Sequence, residues 1–323
     1  MTKKSSGDIL QEIHAVQAQK NIVQAQSPLD VVRRKYLAEL AAKRKRNILA
    51  YYSGWLQKPE TTQTSQSSVN ISINDGDMNA FMAVIHGMGA ERDKGLDILL
   101  HTPGGDMTAT EALINYLHKM FNGNIEAFVP QIAMSAGTMI ACSCKKIHMG
   151  KQSSIGPIDP QLGGFPAYGV IKEFEDALEA IKRDPCYKVL WQMIIGRYPP
   201  TFLGECRNAI DLANEIVKKR LETVMFSGEA DAEEKAQKIV DSLNEHNEEN
   251  KTHNRHIDIE KASSIGLKIE RLEANQEIQD AVLTVHHCFM HTFASSDCIK
   301  IVENDKGNAL ITASPFPQQQ RRG

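Results

Sequence analysis

The sequence predicts an α/β fold: a parallel or mixed sheet covered by helices, preceded by a helical arm and followed by a helical extension. Three observations predict it. Apolar side chains recur at helical spacing between residues 8 and 45. From Asn47 onward, short β-rich runs alternate with helical stretches. Two glycine-bearing turns, Thr102-Pro103-Gly104-Gly105-Asp106 and Ala133-Met134-Ser135-Ala136-Gly137, each follow an apolar run and precede a helix.

The arm is read from Ile9, Ile13 and Val16, then Val32, Tyr36 and Leu40, with a break at Ser27-Pro28. Its second piece carries Arg33, Arg34, Lys35, Lys43, Arg44, Lys45 and Arg46, a charge run that reads as a solvated face beside acidic partners. The segment Thr61 to Ser68 has no apolar period and reads as a mobile loop. Strands are expected at 48–52, 96–100, 126–129 and 146–149, and helices at 78–87, 108–121 and 136–144. Asp106 and Thr108 are suitable N-caps for the helix after the first glycine turn.

Helices continue from Pro199-Pro200 to residue 243, followed by a short strand or turn at Ile257, a helix starting at Asp258 and a stop at Gly266. A helix near Asn275 to His291 precedes a hairpin, Cys298 to Glu303 with Ala309 to Thr312, and Pro315 to Gly323 reads as disordered.

The two glycine turns suggest chemistry. A serine at a strand-to-helix turn has an exposed hydroxyl, and the backbone N–H groups that follow it point toward the same spot. Gly104 and Gly105 let a second backbone N–H approach closely. Two N–H groups and one hydroxyl aimed at one carbonyl make an acyl-transfer site, with Ser135 as nucleophile, an oxyanion hole at Gly104, Gly105 and Ala136, and the Gly105 and Ala136 N–H groups as its donors. An ordinary N-cap serine is the alternative for an isolated Ser-x-Gly; the upstream Gly-Gly turn favours the nucleophile.

Three motifs stand in order: His101-Thr102-Pro103-Gly104-Gly105; Val129-Pro130 through Met134-Ser135-Ala136-Gly137-Thr138; and Ile155-Gly156-Pro157-Ile158-Asp159-Pro160-Gln161-Leu162-Gly163. On these the chain resembles the serine dehydrogenase proteinase family, within the wider class of the Clp protease proteolytic subunit and signal peptide peptidase A. The resemblance implies a crotonase-like (Clp protease-like) ββα superhelix, a Ser135 nucleophile, an oxyanion hole and a tendency to form rings or stacked oligomers. It divides the chain into an arm at 1–45, a peptidase domain at 46–270, and a C-terminal helix, hairpin and tail at 271–323.

A serine hydroxyl needs a base. The region where Clp proteolytic subunits carry a histidine is here Ile155-Gly156-Pro157-Ile158-Asp159, without one. Signal peptide peptidase A relatives use a downstream lysine, whose amine must lose its proton by burial; Lys172 is the first choice on that resemblance and Lys182 the reserve. Both lie among Glu173, Glu175, Asp176, Glu179 and Arg183, and a carboxylate neighbour opposes a basic role. His148 is the rival, since alternation puts Ile147 and Met149 on one face and His148 on the other. Asp159 either lines the site or fixes its turn.

The 323 residues suffice for one large α/β domain with helical additions. A net charge of −3 gives no global attraction to nucleic acid. Six irregularly spaced cysteines read as buried free thiols in a reducing compartment. No run approaches the ~18 apolar residues of a membrane span, and the N-terminus has no apolar signal core, so a soluble cytoplasmic protein is expected. Neither a nucleotide loop nor a metal site is apparent. His246, His253 and His256 surround a polar stretch, and His287 and His291 lack the glutamate of a metalloprotease helix. The expected partners are a polypeptide substrate, further copies of the chain, and an adaptor or unfoldase. Two other functions compete: acyl-coenzyme A processing, which does not need Ser135, and a scaffold that has lost its base.

Overall fold

The computed structural model describes residues 4–18, 27–58, 71–89, 91–244 and 255–314. The Thr61 to Ser68 loop, His246, His253 and the Pro315 to Gly323 tail lie outside them.

The arm forms α1 (Ser6–Ala18) and α2 (Pro28–Arg44), with the proline in the first turn of α2, where its missing N–H costs nothing. There follow β1 (Asn47–Ser53), α3 (Gly76–His86), β2 (Leu96–His101), α4 (Met107–Phe121), β3 (Ile125–Val129), β4 (Ile132–Ala133), α5 (Ala136–Cys142) and β5 (Ile147–Met149). Next are β6 (Ser154–Ile155), the short hairpin β7 (Gln161–Leu162) and β8 (Phe165–Pro166), then α6 (Ala167–Arg183), α7 (Tyr187–Ile195), α8 (Phe202–Arg220) and α9 (Ala232–Asn244). The chain closes with α10 (Ile259–Ser264), β9 (Ile269–Arg271), α11 (Gln276–Ser295), β10 (Cys298–Asn304) and β11 (Ala309–Ala313).

The result is an α/β structure on a mixed sheet of order β11-β10-β1-β2-β3-β5-β9. Strands β1, β2, β3, β5 and β9 run parallel; β10 pairs antiparallel with β1, from Leu49 opposite Asn304 to Ser53 opposite Lys300. The alternation along each strand sorts its side chains onto two cores. Leu49, Tyr51, Ile98, Leu100, Ala127, Val129, Ile147 and Met149 face the core built with α3, α4, α5, α8 and α9. Ile48, Ala50, Tyr52, Leu99 and Phe128 face the core built with α1, α2 and α11. Both faces are covered, so these strands read as continuous apolar runs.

The arm and the C-terminal elements belong to this sheet's own core. On α2, Arg33 donates from Nε to Glu303 of β10 at 2.5 Å and from Nη1 to Thr292 Oγ1 of α11 at 3.1 Å. The basic run therefore splits: Arg33, Arg44 and Arg46 are committed to Glu303, Asp97 and Glu126 inside the fold.

Asp106 caps α4 as expected, its side chain accepting from the Ala109 N–H at 2.8 Å and from Thr108 Oγ1 at 2.6 Å. These bonds favour the carboxylate and pull its pKa below the ordinary value. Asp106→Ala is expected to cost about 1 kcal/mol in urea unfolding at pH 7. Because the folded-state pKa is depressed, that difference is present above the unfolded-state value and shrinks as pH falls through the folded one.

Candidate active site

The first glycine turn is set by Thr102. Its N–H donates to the Ile132 carbonyl at 3.1 Å and its own carbonyl accepts from the Met134 N–H at 3.0 Å, so the end of β2 is tied to β4. Its hydroxyl takes the Gly104 N–H at 3.1 Å. Gly104 then turns at φ 102°. A Cβ placed on it would lie 2.8 Å from Ser135 Cβ, 2.9 Å from the Met134 carbonyl oxygen and 3.2 Å from the Ala136 nitrogen. The two turns thus meet, and only glycine lets them.

Gly105 is a second close approach, since a Cβ there would be 2.3 Å from backbone atoms of Ile73. Ile73 donates to the Gly104 carbonyl at 2.9 Å and accepts from the Asp106 N–H at 2.8 Å, which pins the turn from outside. Sequence reasoning missed Ile73, whose contact is set by tertiary packing.

Ser135 stands half-exposed at φ 50°, ψ −114°, a backbone conformation rare for any residue with a side chain. Such strain persists only where neighbours enforce it, and costs roughly 1–3 kcal/mol. The neighbours here are Gly104 in front and Gly137 behind, where a Cβ would press within 2.5 Å of Thr102 Cγ2. Among the described residues, the Gly105 and Ala136 N–H groups donate no hydrogen bond within the chain, whereas the Gly104 N–H is spent on Thr102.

The third motif joins them. Thr138 Oγ1 donates to the Ala133 carbonyl at 2.9 Å and accepts from the Gly156 N–H at 2.9 Å. A Cβ on Gly156 would meet Met134 Cε at 2.7 Å. Asp159, fully buried, accepts from the Tyr168 N–H at 3.2 Å and so fixes the start of α6.

Lys172 and His148 make their contacts with other partners. Lys172 lies on the exposed side of α6, its Nζ 2.8 Å from Asp176, and that hydrogen bond and charge raise its pKa. In this arrangement it holds its proton. Lys182, in the last turn of α6, is also exposed. The predicted alternation holds for β5, but the His148 ring is committed elsewhere: Nε2 is 2.7 Å from Glu126, the ring stacks on Phe128 at 4.0 Å, and burial lowers its pKa. It faces the core shared with α2.

His256 makes a contact with β6 that the sequence gave no reason to expect. Ile257 bridges Ile155 in antiparallel fashion, β6 pairs with β4, and His256 Nδ1 lies 2.7 Å from Ser154 Oγ with the side chain exposed. The contact spans about a hundred residues, and no local signal marks it.

A strained serine at a strand-to-helix turn is thus packed against a glycine turn, with one unspent N–H donor on each turn. The chain belongs to the family described as ClpP-like SDH-type serine proteinases, whose profile matches residues 20–193. An uncharacterized protein of Methanocaldococcus jannaschii is 33% identical over 147 residues, 46% of this chain and 49% of that protein. A second uncharacterized protein of the same organism is 35% identical over 82 residues, 25% of this chain and 28% of that one. The chain thus spans about half or less of the length of the curated relatives it matches. No solved structure matches it. Among the described residues no helix is long and apolar enough to cross a membrane.

Proposed function

We propose that this chain hydrolyses peptide bonds through an acyl-enzyme on Ser135, within a crotonase-like ββα superhelix. The observation that carries the reading is the contact of Gly104 with the Ser135 turn, beside which the Gly105 and Ala136 N–H groups donate no hydrogen bond among the described residues. The hydroxyl adds to the substrate carbonyl, the two N–H groups hold the oxyanion, the amine leaves, and water releases the acyl group. Gly104 supports the hole by its shape, its own N–H being used.

The proton acceptor has two candidates, each with its own support. Lys172 follows from the family resemblance and requires the amine to leave Asp176 for a drier setting. His256 follows from topology, as it lies on the segment that extends the β4–β6 pair. Asp159 acts through the α6 turn it holds.

The substrate is an extended, unfolded polypeptide segment. The working unit is a homo-oligomer in the cytoplasm: α7 has no buried residue, and Val189, Met193, Leu190 and Leu178 are more than half exposed, an apolar face that suits another copy of the chain. Without a nucleotide loop, unfolding power comes from an adaptor or unfoldase.

A fluorophosphonate probe tests the reading. Labelling of the native chain that vanishes in Ser135→Ala supports it; a native chain that never labels sinks it in favour of a scaffold or an acyl-coenzyme A enzyme. On a flexible peptide, loss of the base is expected to lower kcat by about 10²–10⁴-fold. Full activity in Lys172→Ala excludes the lysine, and full activity in His256→Ala excludes the histidine.

A further inference from the structure

The residues that bring Ile73 to the glycine turn are themselves held by a buried charged network. Lys300 of β10 and Ser53 of β1 stand opposite each other, and Tyr51 shares the face of Ser53 two residues earlier. Asp77, in the first turn of α3, meets them. Its carboxylate accepts from Lys300 Nζ at 2.9 and 3.0 Å, from the Tyr51 hydroxyl at 2.8 Å and from the Asn74 N–H at 3.1 Å. Lys300 also donates to the Ser72 carbonyl at 2.7 Å, and the Ser53 hydroxyl donates to the Ile71 carbonyl at 2.7 Å. The side chains of Lys300 and Asp77 are only 4% and 7% exposed, and Tyr51 and Ser53 are fully buried.

A buried pair of this kind adds little net stability, because desolvation offsets the attraction and apolar groups of the same volume would serve as well. What it does supply is direction. Three donor hydrogens on one amine and the two oxygens of one carboxylate set where the 71–77 strap lies on the sheet. Ser72 and Asp77 flank Ile73, whose N–H donates to the Gly104 carbonyl and whose carbonyl accepts from the Asp106 N–H, a parallel bridge to Gly105. Both bonds of that bridge go to the neighbours of Gly105, so the Gly105 N–H faces the opposite side. The strap therefore sets the direction of one of the two unspent donors.

We propose that Lys300, Asp77 and Tyr51 are positioning residues for the oxyanion turn: they seat the strap, and Ile73 on the strap holds the Gly105 N–H toward the reacting carbonyl. Their effect on rate rests on the Ser135 reading. Their effect on the turn rests on the bridge alone, and the two can be measured separately.

The full chain carrying Lys300→Met with Asp77→Asn loses both charges together, so no uncompensated charge stays buried; a circular-dichroism melt checks that it folds. Fluorophosphonate labelling of Ser135 is expected to slow at least about tenfold, because an oxyanion donor acts only when held in place. The Asp106 amide, bonded to the Ile73 carbonyl, is expected to lose hydrogen-exchange protection at least about tenfold, while the Ala127 amide of β3, bonded to the Lys146 carbonyl at 3.0 Å, keeps its own. Arg33→Met with Glu303→Leu is the control. It removes a buried pair from the opposite face of β10 and should label at the native rate. Native labelling or native Asp106 protection in the folded Lys300→Met, Asp77→Asn chain overturns the proposal, as does equal slowing in the control. A native chain that never labels sinks the Ser135 reading instead, and the Asp106 exchange then still decides whether the network holds the turn.

Discussion

Gly104→Ala is expected to reduce peptide hydrolysis, and the rate of fluorophosphonate labelling, by about 10²–10³-fold. The added methyl has nowhere to go. It would stand 2.8 Å from Ser135 Cβ and 2.9 Å from the Met134 carbonyl oxygen, and φ 102° is itself hostile to a side chain. Two of the three neighbours it meets are backbone atoms, so relief requires the two turns to separate. Separation moves the Gly105 and Ala136 N–H groups away from the point where the oxyanion forms, and such donors act only when held in place. The same strain should lower stability by roughly 1–3 kcal/mol. Gly163→Ala is the control: it also has positive φ, 59°, but nothing lies within 4 Å of its added Cβ. It should lose stability alone. A Gly104→Ala chain that labels at the native rate would remove the basis of the proposed mechanism.

How much of this was legible in the sequence depends on the range of the forces involved. Strands β1, β2, β3 and β5 lie within a residue or two of their expected limits, because apolar runs that must be covered on both faces carry their signal locally. The caps at Asp106 and Asp258 are equally local: each side chain accepts from a backbone N–H three residues on. The three motifs were visible as words, and contact among Gly104, Ser135, Thr138 and Gly156 is what those words require.

Pairings across long stretches of chain were not legible. Nothing near Glu126 announces His148 as its partner, and nothing near Gly105 announces Ile73. The hairpin at the C-terminus was read as a local unit, whereas β10 extends the main sheet beside β1. Helix α7 escaped notice for another reason: Tyr187 to Ile195 is only nine residues long, and none of its residues is buried against the chain. His101 was read as part of a motif, and its burial between Trp55, Tyr52 and His286 depends on α11 arriving from far along the sequence.

The charge run on α2 shows what misplaced burial does to a functional reading, and it yields the largest expected stability effect. Arg33 is fully buried and Glu303 likewise; their 2.5 Å pair is joined by Arg34 to Glu303 at 2.8 Å and by Asp30 to Arg33 at 2.9 Å. Bringing these charges out of water is costly, and their mutual attraction repays it only while every partner is present. Glu303→Ala leaves the Arg33 guanidinium buried with Asp30, at 22% exposure, as the carboxylate still paired with it. The expected loss is about 3–5 kcal/mol, against a total of roughly 5–15 kcal/mol for a folded domain. The double variant Arg33→Met with Glu303→Leu removes both charges and fills the volume, so it should recover most of that loss. Urea unfolding of Arg33→Met, Glu303→Leu and the double variant completes the cycle. If Glu303→Ala unfolds at the native midpoint, the pair contributes nothing, and the arm is held to the sheet by its apolar face and the Arg44 pairs.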